Sequence, residues 1–117
     1  MGMGQSLKYS RVEVELDVDV TIRRKAKEPG YRIEVPKARY DVAAENPDHP
    51  LADLVTYCRG RLVFHGTDEM IRGWVPFEGV PKRSVRGLIQ AVRRCFPGRV
   101  YLIREDSKRM QRRAEIS

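Results

Sequence analysis

Arg86 and Arg93, with Gln90 between them, are the residues whose types and spacing best suit chemistry on a partner. On a helix the two arginines stand two turns apart on one side, about 10 Å along the axis. A guanidinium offers forked donors that match phosphate or the acceptor edge of guanine, and a Gln amide can read adenine. Lys82, Arg83 and Arg94 flank the set. No acidic residue lies between Glu78 and Glu105, a stretch that also holds Arg99 and Arg104. Such a segment draws polyanions and speeds their encounter. Lys108, Arg109, Arg112 and Arg113 add a basic tail that could grip phosphates as a flexible arm or simply solubilise the chain. Arg23, Arg24, Lys25 and Lys27 form a third basic cluster at a turn. The same side chains also suit a solvated surface.

Ser84, Gly87, Ala91 and Cys95 make a strip of small residues beside the arginines. A strip of this kind lets a helix approach another backbone closely, either nucleic acid or the sheet beneath. No helix precedes at the short spacing of a helix-turn-helix.

Other chemistries are poorly served. Cys58, His65 and Cys95 lack zinc spacing, so no metal is expected. Cys58 and His65 could form a thiol–imidazole pair, but both stand where core packing would place them. There is no P-loop and no dinucleotide fingerprint, so neither a cofactor nor catalysis is expected. Trp74, Phe77, Phe64 and Tyr101 fall in expected strands, and Arg61 to Gly66 lacks the glycine–aromatic pattern of an RNA-recognition sheet. Glu13, Glu15, Asp17 and Asp19 recur at about 6.6–6.8 Å along a strand, close to the pitch of nucleic-acid phosphates. They read either as a phosphate mimic or as a solvated outer face.

The elements that must position these residues follow from patterning. The chain has 117 residues, 23 Lys and Arg against 16 Asp and Glu, and a net charge of +7. That composition suits one globular domain over 9–104, with a flexible start at 1–8 and a basic tail at 105–117. No run is apolar enough for a membrane span or a secretory signal, and two cysteines are too few for a disulfide scaffold, so a reducing cytoplasm is expected. Residues 12–22 alternate without a miss and read as a strand. Pro29 and Gly30 suit a two-residue turn. The return strand changes phase at Pro36, which reads as a bulge, placing Ile33 opposite Ala26 and Tyr40 opposite Val20. Asp48 and Pro50 open a short helix with Leu51, Leu54, Val55 and Cys58 inward. Residues 61–65 and 70–77 read as a hairpin, 84–96 as a helix with Val85, Leu88, Ile89, Val92 and Phe96 inward, and 100–103 as a last strand.

The expected fold is α+β: an antiparallel sheet of about five strands with two helices on one face, in the order ββαββαβ. Without its first strand this order resembles the split βαβ arrangement of ferredoxin-like folds. The expected function is non-enzymatic binding of DNA or RNA, mostly through phosphates, by Lys82, Arg83, Arg86, Gln90, Arg93, Arg94 and the tail basics Lys108, Arg109, Arg112 and Arg113. The alternative is a small inhibitor or adaptor of a nucleic-acid-processing complex, an anti-CRISPR-like product of a mobile element. A homodimer through the long first strand is a further expectation.

Overall fold

A computed structural model describes residues 19–66 and 68–105 and the backbone of 112–116. The expected flexible start, the strand residues 12–18 with Glu13, Glu15 and Asp17, and the tail residues Lys108 and Arg109 lie outside them.

Alternation builds the centre of the sheet. Strand β1 (Val20–Lys25) buries Val20 and Ile22 and turns Thr21 and Arg23 the other way. Strand β2 (Gly30–Pro36) buries Tyr31, Ile33 and Val35. The two pair antiparallel with Ile22 opposite Ile33 and Arg23 opposite Arg32. The turn is therefore longer than two residues. The register differs from the expected one by four, an even number, so the same side chains still face inward.

Beyond Pro36 the expected bulged strand is instead helix α1 (Lys37–Glu45). Its composition favours a helix, and Lys37 pairs with Asp41 one turn on at 2.8 Å. Tyr40 and Ala43 turn inward, and Tyr40 meets Phe64 edge to face at 5.3 Å between ring centres. Val42, which alternates with Ala38 and Tyr40 beyond Pro36, is 70% exposed. Helix α2 (Pro50–Tyr57) has Pro50 in its first turn as expected. Its cap position is His49 in the left-handed region, not Asp48, whose N–H is taken by Asn46 Oδ1 at 2.8 Å. It closes through Arg59 and Gly60 at positive φ, with the Gly60 N–H donating to the Val55 carbonyl at 2.8 Å.

Strands β3 (Val63–Gly66) and β4 (Met70–Pro76) form the expected hairpin. Two single 3-10 turns, Phe77–Gly79 and Pro81–Arg83, lead into helix α3 (Val85–Cys95). Ser84 caps it, its hydroxyl oxygen accepting from the Gly87 N–H at 3.1 Å. Leu88, Ile89, Ala91 and Val92 are buried, and Phe96 closes the core just past the helix. Strand β5 (Val100–Glu105) follows. The backbone of β6 (Arg112–Ile116) pairs antiparallel with β5, so this part of the tail is strand rather than a flexible arm.

The sheet order is β3-β4-β2-β1-β5-β6. β1 and β5 are parallel and the other pairs antiparallel, so the sheet is mixed and not purely antiparallel. The helical crossover through α3 explains this: it carries the chain from β4 past β2 and β1, and a crossover returns a strand in its original direction. The path through α1 and α2 likewise leaves β4 between β2 and β3. The ferredoxin-like order is not confirmed, and three helices rather than two cover the sheet. β1 has a neighbour on each side, so its described residues offer no free edge for the expected strand-mediated dimer. The core lies between the helices and one face of the sheet, where Val20, Ile22, Ile33, Val35, Val75, Val100 and Leu102 stand. Among the described residues no helix is long and apolar enough to cross a membrane.

Candidate nucleic-acid interface

Amphipathicity of α3 sets the site. With Leu88, Ile89 and Val92 held in the core, Arg86, Gln90 and Arg94 are left exposed and Arg93 half-buried. The axial rise puts Arg86 and Arg93 about 10 Å apart, as the spacing predicts. Between α3 and β5 runs a groove of about 400 Å³ lined by Val85, Arg86, Ile89, Gln90, Arg93, Leu102 and Arg104. Past the helix end, Gln90 and Arg93 also line a second depression of about 490 Å³ with Arg94, Pro97, Gly98 and Arg99. At the other end, Arg104 also lines a third, of about 230 Å³, with Arg24, Ala26 and Glu105. Gln90 and Arg93 are common to the first two depressions and Arg104 to the first and third, so the three lie side by side as a track of neighbouring depressions.

Lys82 and Arg83 stand exposed at the turn that enters α3, both with positive φ, 55° and 49°. Arg83 is not loose. Its guanidinium lies 5.6 Å from the centre of the Phe77 ring, and that of Arg24 lies 4.9 Å from the same ring. Arg24 also donates to the carbonyls of Lys25 and Glu28. The turn of α3 and the β1 end of the track therefore meet at Phe77.

The third basic cluster is split by strand alternation. Arg24 belongs to the track, while Arg23 lies on the opposite sheet face. There Arg23 donates to Glu105 and, at 3.3 Å, to Glu34. Burial disfavours the Arg23 charge, but the Glu105 and Glu34 carboxylates outweigh it and raise its pKa further above the ordinary value. Glu34 also accepts from Thr21 and pairs with Arg72 at 3.5 Å. Arg32 is clasped by Glu28 through two hydrogen bonds of 2.9 and 2.6 Å. The ion pairs of the described residues engage Arg23, Arg32, Lys37 and Arg72; Arg86, Arg93, Arg94 and Arg104 are in none of them.

The small-residue strip faces α2. Ala91 and Cys95 are buried and line a cleft of about 110 Å³ with Leu54 and Tyr57 of α2, and the Tyr57 hydroxyl lies over Gly87. The strip is the seat of α2. Cys58 is fully buried while His65 is exposed on β3, so burial separates the two halves of the thiol–imidazole reading. Burial pushes the Cys58 thiol up to about 11; burial, with the Asp53 charge, pushes that of Cys95 up to about 12. Neither has the depressed pKa of a nucleophile. Among the described residues no three His, Cys, Asp or Glu side chains cluster as a metal site.

Of the ten sequence-derived site residues, Arg86, Gln90, Arg93 and Arg94 share the track, and Arg83 adjoins it through Phe77. Lys82 is exposed on the same turn. Arg112 is the register partner of Arg104 and Arg113 that of Ile103. Sequence reasoning missed Arg24, Arg99 and Arg104 as members. Arg104 had a signal: Val100, Leu102 and Arg104 share a period of two, which places Arg104 on the helix side of the sheet.

No family model, curated protein or solved structure matches this chain.

Proposed function

We propose that this chain is a non-enzymatic nucleic-acid-binding protein that grips phosphates along the α3–β5 groove. One observation carries the reading: Arg86, Arg93 and Arg104 line a single groove and none of them is ion-paired among the described residues. A guanidinium without a carboxylate partner keeps its donors for an incoming phosphate. Sequence reading is not part of the proposal, since a phosphate contact positions a polymer without reporting its bases.

The test is binding of labelled nucleic acid by the full chain across a salt series. Affinity should be measurable at low salt and fall steeply as salt rises. Replacing Arg86, Arg93 and Arg94 together by Glu should weaken binding by about a hundredfold or more, roughly 1–2 kcal/mol for each reversed contact. No affinity at low salt, or an unchanged Kd in the triple variant, would remove the reading.

A second reading, an adaptor or inhibitor that binds a protein of a nucleic-acid-processing complex, draws on the opposite sheet face. Trp74 there lies under the Arg32 guanidinium at 6.0 Å, and Val63, its cross-strand neighbour, is exposed. Trp and Arg are the residue types that most often anchor protein interfaces. A partner that survives nuclease treatment and is lost on Trp74→Ala, with Arg86→Glu retaining it, would favour this second reading.

A further inference from the structure

We infer that the groove accepts a single-stranded nucleic acid in preference to a duplex, an assignment that rests on the phosphate-binding reading above. The groove has two cationic walls. Arg86 and Arg93 stand on α3, and Arg104 stands across from them on β5. Between them the lining is apolar: Val85, Ile89 and Leu102. A phosphate that touches Arg93 as well as Arg104 must enter the groove. The thin, flexible backbone of a single strand can do so. The phosphates of a duplex ride on a broad convex surface and reach the outer rim, where Arg86, Gln90, Arg94 and Arg104 are exposed, but not the half-buried Arg93 within.

Seating of α2 gives an independent argument. Reading a duplex with α3 in the major groove needs the helix to stand clear of its neighbours on the DNA side. The small-residue side of α3, which would have allowed that approach, is occupied by α2 through Leu54 and Tyr57. What α3 leaves open is its outer face, with Arg86, Gln90 and Arg94, and its flank toward β5, and the flank is the groove itself.

The lining also predicts how bases are treated. Single-strand binders commonly stack bases on aromatic rings within a cationic groove. None of the described residues lining the track is aromatic. Phe77, at its lower end, already lies against Arg24 and Arg83. Ile89 and Leu102 are core residues and Val85 is half-buried, so the lining offers no platform for a base, the strand is held by its phosphates, and different base compositions bind alike.

Fluorescence anisotropy of the full chain tests this with labelled oligothymidylate and oligoadenylate of about 20 nucleotides, the matching duplex, and polyglutamate as competitor. The single strands should bind within about threefold of each other and about tenfold or more tighter than the duplex at equal salt. Arg93→Gln should weaken single-strand binding severalfold and leave duplex binding within twofold, while Arg94→Gln should weaken both alike. Polyglutamate at equal charge should compete poorly. Duplex affinity equal to or above that of the single strands, with Arg86→Glu still weakening it, overturns the single-strand assignment and leaves the phosphate reading intact. Polyglutamate competing as well as oligothymidylate overturns it too. Absence of binding to every nucleic acid at low salt overturns both.

Discussion

Arg93 on α3 and Arg104 on β5 face one groove, although the chain must end a helix, turn at Pro97 and Gly98 and enter the sheet to bring them together. Their joint role has a measurable slope. Each single-strand phosphate contact removed lowers the magnitude of the log–log salt dependence by about 0.7. The double variant Arg93→Gln/Arg104→Gln should therefore lower it by about 1.4. Arg72→Gln, on the opposite face and paired with Glu34, should leave it unchanged. A salt series of Kd values for the three proteins decides this.

The face of α3 was legible because five apolar positions repeat at helical spacing and Ser84 stands where a cap is needed. The strand pattern of Val20 and Ile22 and of Tyr31, Ile33 and Val35 was legible for the equivalent reason at a period of two. The segment from Lys37 was not. Ala38, Tyr40 and Val42 alternate, but three positions are too few to outweigh helix-forming composition, and burial of Tyr40 with Ala43 settled the period. The parallel pairing of β1 with β5 left no local trace, because a crossover is fixed by how α3 packs and not by residues 20–25 or 100–105 alone. Arg104 was lost from the site for that reason: its groove exists only once β5 lies beside β1 and under α3.

Gly87 and Tyr57 test the seat of α2. A Cβ at Gly87 would overlap the Tyr57 hydroxyl oxygen. Gly87→Ala gains about 1 kcal/mol of helix propensity, while overpacking costs about 1–3 kcal/mol. The substitution should therefore lower stability by about 1 kcal/mol in the native background. In Tyr57→Phe the obstructing oxygen is gone, and the same substitution should raise stability by up to about 1 kcal/mol. Urea unfolding of the four proteins of this cycle reads the change of sign.

Ser84 separates stability from affinity. Its hydroxyl caps α3 beside Lys82, Arg83 and Arg86. Ser84→Ala should cost about 1 kcal/mol of stability and leave nucleic-acid affinity within about twofold. Ser84→Asp keeps a capping oxygen and should hold stability within about 0.5 kcal/mol. Its negative charge at the mouth of the cationic track should nonetheless weaken binding severalfold at low salt and much less at high salt. Thermal unfolding and a titration at two salt concentrations check both halves.

Cys58 and Cys95 carry the pH prediction. Burial raises their thiols from an ordinary 9.0 to about 11 and about 12, so the folded chain holds these protons more tightly than the unfolded chain. Their contribution to stability is then fully present below about pH 9 and is lost as pH climbs through 11 and 12. The denaturant midpoint should be insensitive to these two groups at pH 7–8 and should fall with rising pH above about 9, less steeply in Cys58→Ala/Cys95→Ala. The same burial keeps the thiolates scarce at neutral pH. Native protein at about pH 8 should leave both cysteines unlabelled by an aromatic disulfide reagent over the time in which urea-unfolded protein reacts at both. Fast labelling of either thiol in the native protein would show that the α2–α3 contact opens far more often than its packing implies.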